Sequence, residues 1–142
     1  MNLNTYLNFG GNTKEAFEFY RSVFGGDFSS EVTFGEMPME GVSIPAEDEG
    51  KMMHISLPIG DSVLMASDTL GSLGHETVQG NHAYISVHPD SREEADRLFE
   101  GLSQGATIEM AMGDQVWGDY FGSLKDKFGV GWMINYSPPT ES

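Results

Sequence analysis

The side chains best suited to proton transfer or metal ligation in this chain are its four histidines, His54, His75, His82 and His88. There is no cysteine, so disulfides, thiolate nucleophiles, zinc ribbons and iron–sulfur clusters are excluded. His82 opens an alternating run with Tyr84, Ser86 and His88. It reads as a ligand, a general base, an anchor for a carboxylate, or a structural histidine beside a Gly-rich link. His54 alternates with Ile55, Leu57 and Ile59, which places it on the polar face of a strand with Ser56, a possible partner. His75 and His88 stand in loop contexts and are expected to be solvated. Asp119 is the one acid within Trp117 to Tyr120, which makes it the best general-base candidate if chemistry occurs. Trp117 and Tyr120 suit a cavity wall or a packed turn equally. Tyr6 and Tyr84 suit a polar cavity floor, with Asn4 and Asn8 beside the first and His82 and Ser86 beside the second; packing through their rings is as good a reading. Asn135 is a further polar contact in the last strand. No phosphate loop, dinucleotide fingerprint or Gly-x-Ser-x-Gly elbow is present.

These residues need elements to hold them. Leu3, Thr5, Leu7 and Phe9 alternate with Asn4, Tyr6 and Asn8, the period of a half-buried strand over Leu3 to Phe9. Gly10-Gly11 breaks it, and Asn12 or Thr13 is placed to cap a helix. Ala16, Phe19, Tyr20, Val23 and Phe24 form the helix stripe, and Gly25-Gly26 stops it. A strand is expected around Phe28 to Phe34. Residues 35 to 50, with Met37, Met39 and the run Glu47-Asp48-Glu49, read as a mobile surface loop. Strands Met52 to Ile59 and Ser62 to Ser67 flank a Gly60-Asp61 hairpin turn. After the Gly-rich link 71 to 80 the order starts again. His82 to His88 alternates, Asp90 or Ser91 caps a second helix, and Ala95, Leu98, Phe99 and Leu102 form its stripe, ended by Gly105. A strand Thr107 to Met112, a less regular stretch from Asp114 to Gly122 and a last strand Gly131 to Tyr136 complete it.

The halves correspond. Ile85 stands 78 residues after Leu7, and Ala95 stands 79 after Ala16. The expectation is one domain, 1–142, built from two βαβββ modules, 1–71 and 80–137. Each module has a sheet face covered by its helix and one left open. The open faces must pair or close into a shared curved sheet, with a cavity between the modules.

The chain carries 22 acidic and 7 basic residues, a formal charge of −15. Such a chain repels phosphate backbones and anionic membranes, so neither nucleic acid nor membrane is an expected partner. No apolar run reaches the ~20 residues that span a bilayer, and the first residues lack the pattern of a signal peptide. The expected location is cytoplasmic.

Tyr6-Leu7-Asn8-Phe9, Ala16 to Tyr20, Gly25-Gly26, Gly60-Asp61, Asn81-His82 and Asp126-Lys127-Phe128-Gly129, in that order, resemble the glyoxalase/bleomycin-resistance/dioxygenase (vicinal oxygen chelate) superfamily. Trp117 to Gly122 and Trp132 to Tyr136 resemble its PhnB-like branch. The resemblance implies an α+β fold, with two βαβββ modules forming a curved, mostly antiparallel sheet around a cavity, and a homodimer. Metal-dependent members place ligands at four strand positions, which here fall on Asn4, Met65, His82 and Met133. One imidazole and two thioethers suit neither zinc or nickel nor magnesium or manganese. No cofactor is therefore expected, and a divalent metal would meet an incomplete ligand set. The match to a superfamily position favours a functional role for His82. The implied function is binding of a small molecule in a cavity, with Asn4, Tyr6, His54, Met65, Tyr84, Trp117, Tyr120, Met133 and Asn135 in contact with it. The alternatives are a lyase, isomerase or dioxygenase, with metal or with His82 or Asp119 as base, and a non-catalytic dimeric scaffold.

Overall fold

The computed structural model describes residues 1–36, 41 and 43–139. Met37 and Met39 lie outside them. The contacts of the chain fall into two compact units, Met1–Val78 and Gln79–Ser142. Among the described residues each unit holds one helix of three turns and four strands.

In the first unit β1 (Tyr6–Phe9) leads to α1 (Thr13–Phe24), then β2 (Ser30–Thr33), β3 (Met52–Ile59) and β4 (Ser62–Asp68). The sheet order is β1-β4-β3-β2, with β1 parallel to β4 and the other pairs antiparallel. The second unit repeats this order with β5 (Ile85–Val87), α2 (Arg92–Leu102), β6 (Thr107–Asp114), β7 (Tyr120–Lys125) and β8 (Gly131–Tyr136). Its sheet runs β5-β8-β7-β6, again with one parallel pair. The fold is α+β, a βαβββ unit made twice.

Alternation makes the strands and decides their faces. Ile55 and Leu57 of β3 and Leu64 and Ala66 of β4 are buried with Ala16, Phe17 and Tyr20 of α1. Burying each large side chain contributes about 1.5–3 kcal/mol. Phe17 takes the core position that helical spacing had assigned to Phe19, which is only half-buried. Gly60 has φ 58° and among the described residues no non-Gly residue has positive φ, so the β3–β4 turn has the pattern of a type II′ hairpin. In α1, Gly25 at φ 82° donates its N–H to the Arg21 carbonyl and closes the helix.

The start of α1 departs from expectation. Asn12 is the N-cap residue but its side chain makes no capping bond. The cap comes from the far end of β4, where buried Asp68 accepts from the Gly11 N–H at 3.1 Å, the Thr13 N–H at 3.0 Å and the Thr13 hydroxyl at 2.7 Å. Its other oxygen accepts from the Met52 N–H at 2.8 Å. One carboxylate thus ties β4, α1 and β3 together. In α2 the cap is the expected one, with Ser91 Oγ accepting from the Glu94 N–H.

Three further differences have local causes. β1 begins at Tyr6, because Leu3 is 93% exposed and gains nothing from the sheet. Asp48, within the acidic run, is buried rather than solvated. Lys51 Nζ approaches one of its oxygens at 2.8 Å and Ser72 Oγ donates to the other. The Lys51 bond, then the Ser72 bond, hold its carboxyl below the usual range. The stretch after Asp114 is the turn of a hairpin leading into β7, with Gly118 at φ 102° and the Gln115 N–H on the Asp119 carbonyl.

Candidate functional site

Side chains paired across strands project to the same side of a sheet. In the first unit Leu7, Phe9, Ile55, Leu57, Leu64 and Ala66 face α1. The opposite, open face carries Tyr6 and Asn8 of β1, Met65, Ser67 and Val63 of β4, and His54, Ser56 and Pro58 of β3, with Ser30 and Val32 of β2 at its margin. In the second unit Ile85, Val87, Leu124, Trp132 and Ile134 face α2. Its open face carries Ser86, Phe121, Ser123, Met133 and Asn135.

On the first open face three of the expected residues meet. Tyr6 Oη and His54 Nδ1 are 3.3 Å apart, and the rings lie 5.8 Å apart at 30°. Met65 is the ladder partner of Tyr6 on the strand between them. His54 does not pair with Ser56, whose hydroxyl instead meets Ser29 at 2.7 Å. Asn4 precedes β1, and its Oδ1 accepts the Val63 N–H at 3.1 Å, extending the sheet edge.

On the second open face Tyr84 lies against Gly131. A Cβ at Gly131 would sit 2.8–3.0 Å from three atoms of the Tyr84 ring. The Tyr84 hydroxyl meets both oxygens of Glu109, at 2.7 and 2.8 Å. That bond raises the phenol above its ordinary range. The ring therefore spans from the start of β8 to β6. Gly131→Ala is expected to displace it and cost about 1–3 kcal/mol. A Tyr84 ring resonance unchanged by the substitution would contradict this packing.

Asn135 Nδ2 donates to Asp119 Oδ2 at 3.0 Å. This bond, then one from Ser137, holds the Asp119 carboxyl below its ordinary value. A lowered proton affinity weakens a general base and suits a standing hydrogen-bond acceptor. The folded value is depressed, so the interaction contributes stability above about pH 4 and loses it as pH falls through the folded value. Asn135→Ala is expected to raise the Asp119 pKa in a carboxyl-carbon NMR titration. An unchanged titration would disprove the assigned cause.

The remaining candidates lie elsewhere. Tyr120 is on the helix side of its sheet, with its hydroxyl on Asp96 and the Arg92 guanidinium 3.9 Å above its ring. Trp117 is 61% exposed at the β6–β7 hairpin turn, 6.3 Å from the Phe121 ring. His82 is exposed and precedes β5 by three residues. His88 is exposed beside Ser86, with Nε2 and Oγ 3.1 Å apart. Sequence reasoning missed Glu109, which no pattern in β6 distinguishes from a solvated strand acid.

The family-implied metal does not fit the four carried-over positions. Asn4 spends its carbonyl oxygen on a backbone N–H, and Met65 and Met133 offer thioethers to ions that prefer nitrogen or oxygen. Among the described residues no three or more His, Asp or Glu side chains gather into a metal-binding group.

The model of the Glyoxalase/Bleomycin resistance protein/Dioxygenase superfamily matches residues 2–134. The chain belongs to that superfamily. It is 33% identical to Protein YjdN of Escherichia coli over 147 aligned positions, covering 95% of each chain. Protein PA1353 from Pseudomonas aeruginosa has a similar structure, with a TM-score of 0.85 at 36% identity over 96% of this chain and 98% of that one. The PhnB protein of Bacillus cereus has a TM-score of 0.76 at 26% identity over 96% and 100%. These likenesses place the chain in the PhnB-like branch of the glyoxalase superfamily.

Proposed function

We propose that this glyoxalase-superfamily chain binds a small organic molecule on its open sheet faces, without a chelated divalent metal. The observation that carries the reading is the chemistry at the centre of those faces. Met65 and Met133 lie on inner strands of those faces, at positions that the family resemblance matches to metal ligands, and thioethers make an adaptable apolar floor. Tyr6 and His54 on the first face, and Tyr84, Asn135 and Asp119 on the second, supply polar contacts to each face separately, beside an apolar floor as small-molecule sites usually have. His82 would meet the molecule from the segment before β5.

The Tyr6–His54 contact favours a second reading, in which the bound molecule also undergoes metal-free proton transfer. The proposed partner protein is a second copy of the chain. Ile108 and Met110 of the edge strand β6 are exposed in a single copy, and a second copy would cover them. Light scattering should then give twice the chain mass. The charge of −15 argues against nucleic acid and anionic lipid, and no described helix is long and apolar enough to cross a membrane. The proposed location is the cytoplasm.

Thermal-shift screening with a varied set of small organic molecules tests the reading. A ligand at 100 times its Kd adds about 2.7 kcal/mol of stability, and a Met133→Lys variant should lose the shift. A set in which no compound shifts the wild-type protein would favour the inert dimeric scaffold.

A further inference from the structure

We propose that the open face of the first unit receives the acidic head of the bound molecule, a carboxylate or a phosphate, through Tyr6 and His54. The inference rests on the small-molecule reading above and adds a ligand class to it.

Charge segregation is the first argument. In a chain with 22 acidic residues, the open face of β1, β4, β3 and β2 carries none. The acids of those strands point the other way. Glu31 pairs with Lys14 of α1, and Asp68 is consumed by Gly11, Thr13 and Met52. Asp61 sits in the β3–β4 turn, outside both strands.

Donor placement is the second. Tyr6 and His54 stand side by side, and the hydrogen bond between them engages Nδ1 of the imidazole rather than Nε2. Asn8 and Ser67 are ladder partners on the same face, and Ser67 lies one step beyond the Ile55–Ala66 pair, beside His54. An imidazole, a phenol, an amide and a hydroxyl thus converge with no carboxylate among them. Hydrogen bonds from such donors to an ionised oxygen are about twice as strong as neutral ones.

The second unit supplies an internal comparison. Tyr84 is the counterpart of Tyr6, yet its hydroxyl meets Glu109 rather than a histidine. Asp119, held ionised by Asn135, adds another carboxylate to that sheet. The same tyrosine position faces an uncharged ring in one unit and a carboxylate in the other, so an acidic head is matched to the first face and repelled by the second. The overall charge repels an anion at long range, so its affinity should rise as salt screens that repulsion over a Debye length of about 10 Å at 0.1 M.

The test is NMR of the full chain, labelled at histidine and tyrosine, titrated with benzoate, phenyl phosphate, benzamide and benzylamine. Benzoate or phenyl phosphate should move the His54 and Tyr6 signals and bind at least about tenfold tighter than benzamide. His54→Ala and Tyr6→Phe should each weaken that binding, while a far-ultraviolet spectrum shows the fold retained. Tighter binding of benzylamine, equal binding of benzamide, or acids that move only Tyr84 would overturn the inference and leave the small-molecule reading standing. No response to any of the four probes would overturn the acidic-head assignment too. The wider reading would then be judged by the thermal-shift screen alone.

Discussion

Asp68→Ala will destabilise the protein by about 3–5 kcal/mol, because each buried donor left without an acceptor costs about 1–3 kcal/mol. Four donors lose their acceptor: the Gly11, Thr13 and Met52 N–H groups and the Thr13 hydroxyl. Water entering the space offsets part of the loss, which is why the estimate lies below the sum. At about 2–4 °C per kcal/mol for a chain of this size, the melting temperature should fall by roughly 10 °C. Asp68→Asn should cost less. Its remaining oxygen can serve one side of the site, but its amide then confronts a donor on the other. Chemical denaturation of the three proteins measures this directly. A loss below about 1 kcal/mol in the alanine variant would show that the carboxylate is not what joins β4 to α1 and β3.

Trp132→Ala will destabilise the second unit by a similar amount, about 3–5 kcal/mol, through the cavity left by a large buried side chain. Trp132 is 1% exposed, and its indole N–H donates to buried Asp126 at 2.8 Å. The other oxygen of Asp126 accepts the Phe128 and Val130 N–H groups, which shapes the turn before β8. Trp132→Phe should separate the two contributions. It keeps most of the apolar volume and loses the charge-assisted bond, worth about 1.5–3 kcal/mol. Fluorescence gives an independent check, since Trp117 is exposed and Trp132 is not. The emission that acrylamide fails to quench should disappear in the phenylalanine variant. Equal stability of Trp132→Phe and wild type would remove the Asp126 bond from the account.

Much of this architecture is legible from residue order. Alternation marks Met52 to Ile59 and Gly131 to Tyr136 with the ends they have in the structure. The Gly60 turn and the Ser91 cap are local signals with local physics, so they survive folding unchanged. The repeat of Leu7 on Ile85 and Ala16 on Ala95 anticipates two sheets of identical strand order. What was not legible depends on partners distant in sequence. Asp68 looks like the last polar residue of an alternating strand, and its role follows from Met52, 16 positions away, and from Gly11 and Thr13, 57 and 55 positions away. Strand β7 is hidden because Phe121-Gly122-Ser123 does not alternate in hydrophobicity, and Gly122 is required where Phe99 and Met112 crowd the backbone. Tyr120 reads as a cavity residue beside Trp117, but strand parity turns it to the helix side.

The candidate site shows the same division. Alternation assigns Tyr6 and His54 to strand faces, the family resemblance supplies Met65, and the ladder brings the three together. The partner of Tyr84 was not legible, because Glu109 gains its meaning from a ring that crosses the sheet. His82 owes its candidacy to a family position rather than to local geometry, and it lies in the irregular segment before β5.

The measurement that tests the central claim most directly is the metal content of the purified protein, followed by titration with nickel, zinc, manganese and iron, in wild type and in His82→Ala. A metal-independent binding protein should hold no stoichiometric divalent ion and gain no thermal stability from any of the four. One tightly held ion per chain, lost in His82→Ala, would contradict the account and make the chain a metal-dependent member of its superfamily.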